Sequence, residues 1–181
     1  MTFPTTARLI LRPFLPSDAE PFAALNADAD VMAEFPKTLT RAESDQIIES
    51  AERKRAECGF GFAAVAMKNG TFLGMCGLNV PGYETPFSPS VEIGWRFARP
   101  AWGNGYASEA ACAWLAFGFE AKGLEEIVAF TALTNTRSEA VMHRIGMKRD
   151  ETGDFLHPRL EPDHRLAPHV LYRIKREDFR P

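Results

Sequence analysis

The segment Trp102-Gly103-Asn104-Gly105-Tyr106-Ala107-Ser108-Glu109-Ala110 carries the most chemically informative pattern in the chain. Glycines let a backbone turn tightly and come close to a ligand, and a helix start offers unpaired amides and a positive dipole end. Together these make a cradle for a pyrophosphate, although a structural turn asks for the same residue types. A nucleoside-triphosphate loop needs Gly-Lys-Ser/Thr, which is missing. A dinucleotide fold needs a third spaced glycine where Glu109 and Ala110 stand, and it normally opens its domain. Three cysteines, Cys58, Cys76 and Cys112, are odd in number and lie in apolar or helical patterns, which suits buried thiols better than a disulfide framework or a zinc site. His157, His164 and His169 match no helical or finger spacing and read as solvated loop histidines, so no metal is expected.

The elements that must position the loop can be read from periodicity. Arg8 to Arg12 is a short strand closed by Pro13. Ser17 with Glu20 predicts a capping box and a helix to about Asn26, and Thr40 with Glu43 predicts a second helix to about Cys58, with Ile47, Ile48 and Ala51 inward. Gly61 to Met67 and Thr71 to Val80 form an antiparallel hairpin around Asn69-Gly70. A proline-rich loop leads to a strand from Val91 to Phe97 carrying Glu92. The glycine turn then enters a helix from Gly105 to about Ala121, with Ala107, Ala110, Ala111, Trp114, Leu115 and Gly118 on one stripe. Ile127 to Thr131 is a strand, and Asn135 caps a short helix that ends at Gly146. Strand, crossover helix and strand imply local parallel pairing. A polar stretch from Asp150 to Pro168 precedes a last strand, His169 to Ile174. No linker divides the chain, so a single domain over residues 1–181 is expected.

Composition narrows the function classes. The 181 residues are 45% hydrophobic and carry 24 acidic against 21 basic side chains, a formal charge of −3. No basic field exists to hold nucleic acid. No apolar stretch approaches a membrane span, and the amino terminus lacks the charged-then-apolar order of a signal peptide, so a cytoplasmic location without membrane partners is expected.

Val91-Glu92-Ile93-Gly94-Trp95, then Trp102 to Ala110, then Asn135-Thr136-Arg137-Ser138 ahead of Gly146-Met147 resemble the GCN5-related N-acetyltransferases, within them the ribosomal-protein N-terminal (RimJ/RimL-type) group. The opening Arg8-Leu9-Ile10-Leu11-Arg12-Pro13 also looks like this group. The resemblance spans nearly the whole chain in order. It implies an α/β (α+β type) fold with a mixed, mostly antiparallel sheet of six to seven strands, splayed between the fourth and fifth, and about four flanking helices. Acetyl-coenzyme A would lie in the splay as cosubstrate. On this mapping the amides of Gly103, Asn104, Gly105, Tyr106, Ala107 and Ser108 hold the pyrophosphate, and backbone groups of Trp95 and Phe97 pair with the pantetheine arm. Trp102 stands where the family usually has Gln or Arg, so one side-chain contact to phosphate is missing.

The acceptor would be a primary amine, on a small molecule or a peptide N-terminus, attacking directly in a ternary complex. It must lose a proton first, and by resemblance Glu92 is the base, acting through water, unless it is an ordinary pair-making strand residue. A strand amide near Phe97 would meet the oxyanion. The tyrosine that many relatives use on the thiolate is replaced by Met142. Ser138 matches the serine of the ribosomal group, and Asn135 an amide ligand, where the residue types alone would also serve as helix caps. His157 and Arg159 are placed at the acceptor mouth, and Asp28, Asp30 and Glu34 as acids that could draw in a cation. A homodimer is expected on the family's habit alone. The other reading is an acyl-coenzyme A sensing module that kept the cradle without the chemistry.

Overall fold

The computed structural model describes residues 3–180. Its strands are β1 (Leu9–Arg12), β2 (Phe62–Met67), β3 (Phe72–Asn79), β4 (Glu92–Phe97), β5 (Glu126–Ala132), β6 (Lys148–Arg149), β7 (Phe155–Leu156) and β8 (Pro168–Lys175). The helices are α1 (Ala19–Ala27), α2 (Arg41–Cys58), α3 (Tyr106–Ala116) and α4 (Thr136–Arg144). All eight strands join one sheet in the order β1-β2-β3-β4-β5-β8-β6, with β7 also pairing β8. Only β4 and β5 run parallel, and their register holds one pair, Glu92 with Val128. Beyond that pair the two strands diverge, which is the splay the resemblance implies.

Each face of the sheet has its own apolar cluster. Phe22, Leu25, Val31 and Met75 pack with Ile47, Ile48 and Phe62 under α1 and α2. Trp114, Leu115, Ile93, Phe97, Ile127 and Tyr172 form the larger cluster under α3 and α4. Gly118 explains how close α3 comes to the sheet, because a Cβ there would stand 2.7 Å from Ile127 and 3.0 Å from Leu78. The helix is α-helical only to Ala116 and continues to Ala121 as a π turn.

Two expectations are corrected. Ser17 and Glu20 form no capping box. The chain instead makes a 3-10 turn over Pro16–Asp18, and the buried Asp18 carboxylate accepts the Leu15 N–H and a two-pronged bond from Arg12. A buried ion pair outcompetes an exposed serine cap, since an unpaired carboxylate at that depth would be costly. The sheet has eight strands, not six or seven, because two-residue β6 forms just ahead of the stretch read as polar loop and two-residue β7 inside it. Their alignment comes from β8, against Arg173 and Tyr172 for β6 and His169 and Pro168 for β7. The Thr40 and Glu43 capping box, the hairpin and the Asn135 cap stand where the sequence puts them.

Candidate active site

The glycine loop begins from a strand whose backbone is half free. Alternation turns the peptide groups of every second β4 residue to the same side. Ala98 donates to Leu73 on β3 (2.9 Å), whereas the Val91 carbonyl accepts from Val128 on β5 (2.9 Å). Trp95 and Phe97 therefore direct their peptide groups into the opening beyond the Glu92 and Val128 pair. One of those groups is already used, since Trp102 Nε1–H donates to the Phe97 carbonyl (2.9 Å). The Phe97 N–H is left for a ligand.

Gly103 and Gly105 both take φ of +77°, where side chains are strained. Gly105 is the N-cap of α3 and has no side chain to bond the first amides, so those of Tyr106, Ala107 and Ser108 stay free to meet an anion. Arg8, just before β1, fastens this turn. Its N–H and Nε both donate to the Glu109 carboxylate (2.9 and 2.6 Å), a terminal nitrogen donates to the Asn104 carbonyl (3.0 Å), and its guanidinium lies 4.8 Å over the Tyr106 ring. Asn104 closes the turn on itself by donating to the Trp102 carbonyl (2.9 Å). Arg137, at the start of α4, lies 4.4 Å from the Trp102 ring centre. A cation thus stands at the loop's head where the family's usual Gln or Arg is absent.

Glu92 opens β4 on the face it shares with Gly94 and Arg96, across from Asn79, Gly77 and Met75. Asn79 donates to its carboxylate (2.7 Å). Burial raises the pKa from the ordinary carboxylate value to about 7, against the lowering effect of that one bond. No cation pairs with it among the described residues; its one protein partner is the neutral amide of Asn79. Asn135 Oδ1 accepts the Ser138 N–H (3.2 Å), and its amide donates to Thr131 Oγ1 (2.8 Å). Asn135 is therefore the cap. The Ser138 hydroxyl is not part of it and has no protein partner among the described residues.

His157 and Arg159, expected at the acceptor mouth, belong to a second cluster on the Glu92 face whose Tyr83 sequence reasoning missed. Tyr83, in the β3–β4 loop, shares a hydrogen bond with His157 Nε2 (2.9 Å), and Arg159 lies 4.4 Å over the Tyr83 ring. Burial and the nearby Glu92 charge push the Tyr83 hydroxyl up to about 12. Burial, together with neighbouring His169 and Arg159, brings His157 down to about 4. His157 and His169 are thus half-buried, not the solvated loop histidines expected. They pack ring to ring (4.8 Å) among Phe87, Phe130 and Phe155. The acids expected to attract a cation are occupied: Asp28 accepts the Asp30 N–H, Asp30 pairs with Arg99, and Glu34 accepts from Thr134. Arg96 has a neutral partner, Asn26, and stacks on Phe35 (4.1 Å), and burial lowers it to about 10.

A diverging parallel strand pair, a glycine turn at a helix start and a carboxylate where the divergence begins together define an acyl-transfer scaffold. Residues 8–148 match the profile described as an acetyltransferase (GNAT) domain. The chain belongs to the GNAT acetyltransferases and is an acyltransferase enzyme. Among its relatives is the FsC-acetyl coenzyme A-N(2)-transacetylase of Aspergillus fumigatus, 34% identical over 96% of this chain and 76% of the relative. A GNAT-family acetyltransferase of Bacillus anthracis superposes with a TM-score of 0.79 at 27% identity, covering 97% of this chain and 99% of the other. The RimL ribosomal L7/L12 alpha-N-protein acetyltransferase, solved with coenzyme A, shares the fold with a TM-score of 0.75 at 16% identity, covering 96% and 97%.

Proposed function

We propose that the chain transfers acetyl from acetyl-coenzyme A to a primary amine by direct attack in a ternary complex. The observation that carries this is Glu92, a carboxylate without a cation partner, poised near neutrality where β4 and β5 part. An ammonium has no lone pair, and a base with a pKa near working pH both accepts its proton and occurs in the ionised form. The amine nitrogen then attacks the thioester carbon, the carbonyl oxygen takes up the negative charge, and the carbon–sulfur bond breaks. Donors are needed at the oxygen and at the leaving sulfur. The free Phe97 N–H fits the first need and the unengaged Ser138 hydroxyl the second. Gly103 to Ser108 supply amides for the pyrophosphate, and Arg137 supplies a cation in place of the residue that Trp102 displaces. No cysteine is placed for an acetyl-enzyme: Cys76 is buried, and its thiol is pushed well above the ordinary value by that burial.

The test has two parts. Acetyl-coenzyme A at a hundredfold excess over its Kd should stabilise the protein by about 2.7 kcal/mol, read as a thermal shift. Ser138→Ala should then lower kcat for an amine substrate with little change in acetyl-coenzyme A KM. Absence of the thermal shift would remove the reading altogether. A shift without turnover of any amine would favour the sensing module.

A further inference from the structure

The structure holds an aromatic wall that the transfer chemistry does not use. Two residues beyond the Glu92 and Val128 pair, β4 continues to Gly94 and β5 to Phe130. Phe130 lies on the Glu92 face of the sheet, because its neighbours Ile127 and Ala129 belong to the cluster under α3 and α4 and side chains alternate. Around it stand Phe87 (5.6 Å between ring centres), Phe155 (5.7 Å) and His169 (6.3 Å), with His157 and Tyr83 continuing the wall. Phe87, Phe130 and Tyr83 are only half-buried, so ring surface remains open.

Charge on this face is lopsided. Among the described residues, Glu92 is the enclosed carboxylate on this face without a cation partner. Arg159 has no carboxylate partner among the described residues, nor has Arg96. Arg173, 5.9 Å from the Phe87 ring centre, is neutralised by Glu126 and Asp150. Asp28, Asp30 and Glu34 are engaged as described, while Glu84, Glu161 and Asp163 are exposed to solvent. One ammonium can be met at Glu92. A second on the same molecule would be left among arginines and rings already stacked.

We propose that the acceptor is a small primary amine with a single positive charge, carried on an aromatic body that seats against Phe130 and Phe87 while its nitrogen lies at Glu92. This rests on the acetyl-transfer reading and names its substrate class. Ring against ring contributes beyond the burial of apolar area, and a linear polyamine would bring its second charge beside Arg159 and Arg96, which have no carboxylate partner among the described residues.

The experiment measures release of the coenzyme A thiol with 2-phenylethylamine, tryptamine, spermidine and a serine-initiated tetrapeptide, each at saturating acetyl-coenzyme A. The two aromatic amines should exceed spermidine and the peptide at least tenfold in kcat/KM. Phe130→Leu keeps bulk but removes the ring, and should lower kcat/KM for the aromatic amines about tenfold, mainly through KM, while the acetyl-coenzyme A thermal shift is retained. Preference for spermidine or the peptide overturns the proposal, as does a Phe130→Leu variant that bears equally on all four amines or on none. A retained thermal shift with no turnover of aromatic amines overturns this inference alone. Loss of the shift in the wild type overturns the acetyl-transfer reading beneath it.

Discussion

Glu92 shows how one side chain links stability to function. Its pKa lies above the unfolded value because burial penalises the charged form. That penalty is absent below about pH 4.5, where the group is neutral in both states, and is fully present once pH has risen through about 7. Glu92→Gln should therefore melt at the wild-type temperature at pH 4, and several degrees higher at pH 8.5. Activity has the opposite sense, since only the ionised form accepts a proton. The wild-type rate with an amine should rise through pH 7, and Glu92→Gln should lose about a hundredfold at pH 8. A variant that is less stable at pH 8.5, or that retains full rate, would remove Glu92 from the role of base. The position of Glu92 on a strand was legible from its neighbours in sequence. Its isolation from cations was not, because that depends on what β3 and the distant loops carrying Tyr83 and Arg159 place around it.

At the scale of elements, the hairpin, α2, α3 and the cap of α4 follow from local signals that tertiary packing leaves intact. The start of α1 and the strands β6 and β7 do not, since Asp18 answers to Arg12 and the two short strands answer to β8. The site divides in the same way. The glycine turn is a contiguous motif, whereas Tyr83 and His157 lie 74 positions apart and meet only because the β3–β4 loop and the segment after β7 cover the same sheet face. Arg8 is another such contact. It holds the turn through Glu109 and Asn104, so it acts as a positioning residue. Arg8→Ala should raise the acetyl-coenzyme A KM several-fold and leave kcat at saturation near the wild-type value. An equal fall in kcat would mean that Arg8 acts on the transfer step itself.

Across the whole molecule, strands β1 to β4 and the group around β5 and β8 meet through a single parallel pair, so contacts between loops carry much of the closure on the Glu92 face. Arg165 donates to the Ala33 carbonyl (2.7 Å), Thr134 to Glu34, and Arg159 to the Gly82 carbonyl (3.4 Å). His157 sits among these contacts as a neutral ring. The unfolded chain protonates it near pH 6.5, and the folded chain only near 4. Stability should then fall as pH drops between those values, and a His157→Gln variant should show a flatter decline over the same range, measured by denaturant midpoint. An unchanged slope would mean that the ring accepts a proton without cost to the fold. The tryptophans give the cleft an optical consequence. Trp114 is sealed in the core at 0% exposure and offers a constant background, whereas Trp102, with its indole N–H on the Phe97 carbonyl and a guanidinium over its ring, stands at the pyrophosphate turn. Any anion that draws Arg137 off that ring alters the indole's emission, so the protein reports occupancy of its own cradle without a label.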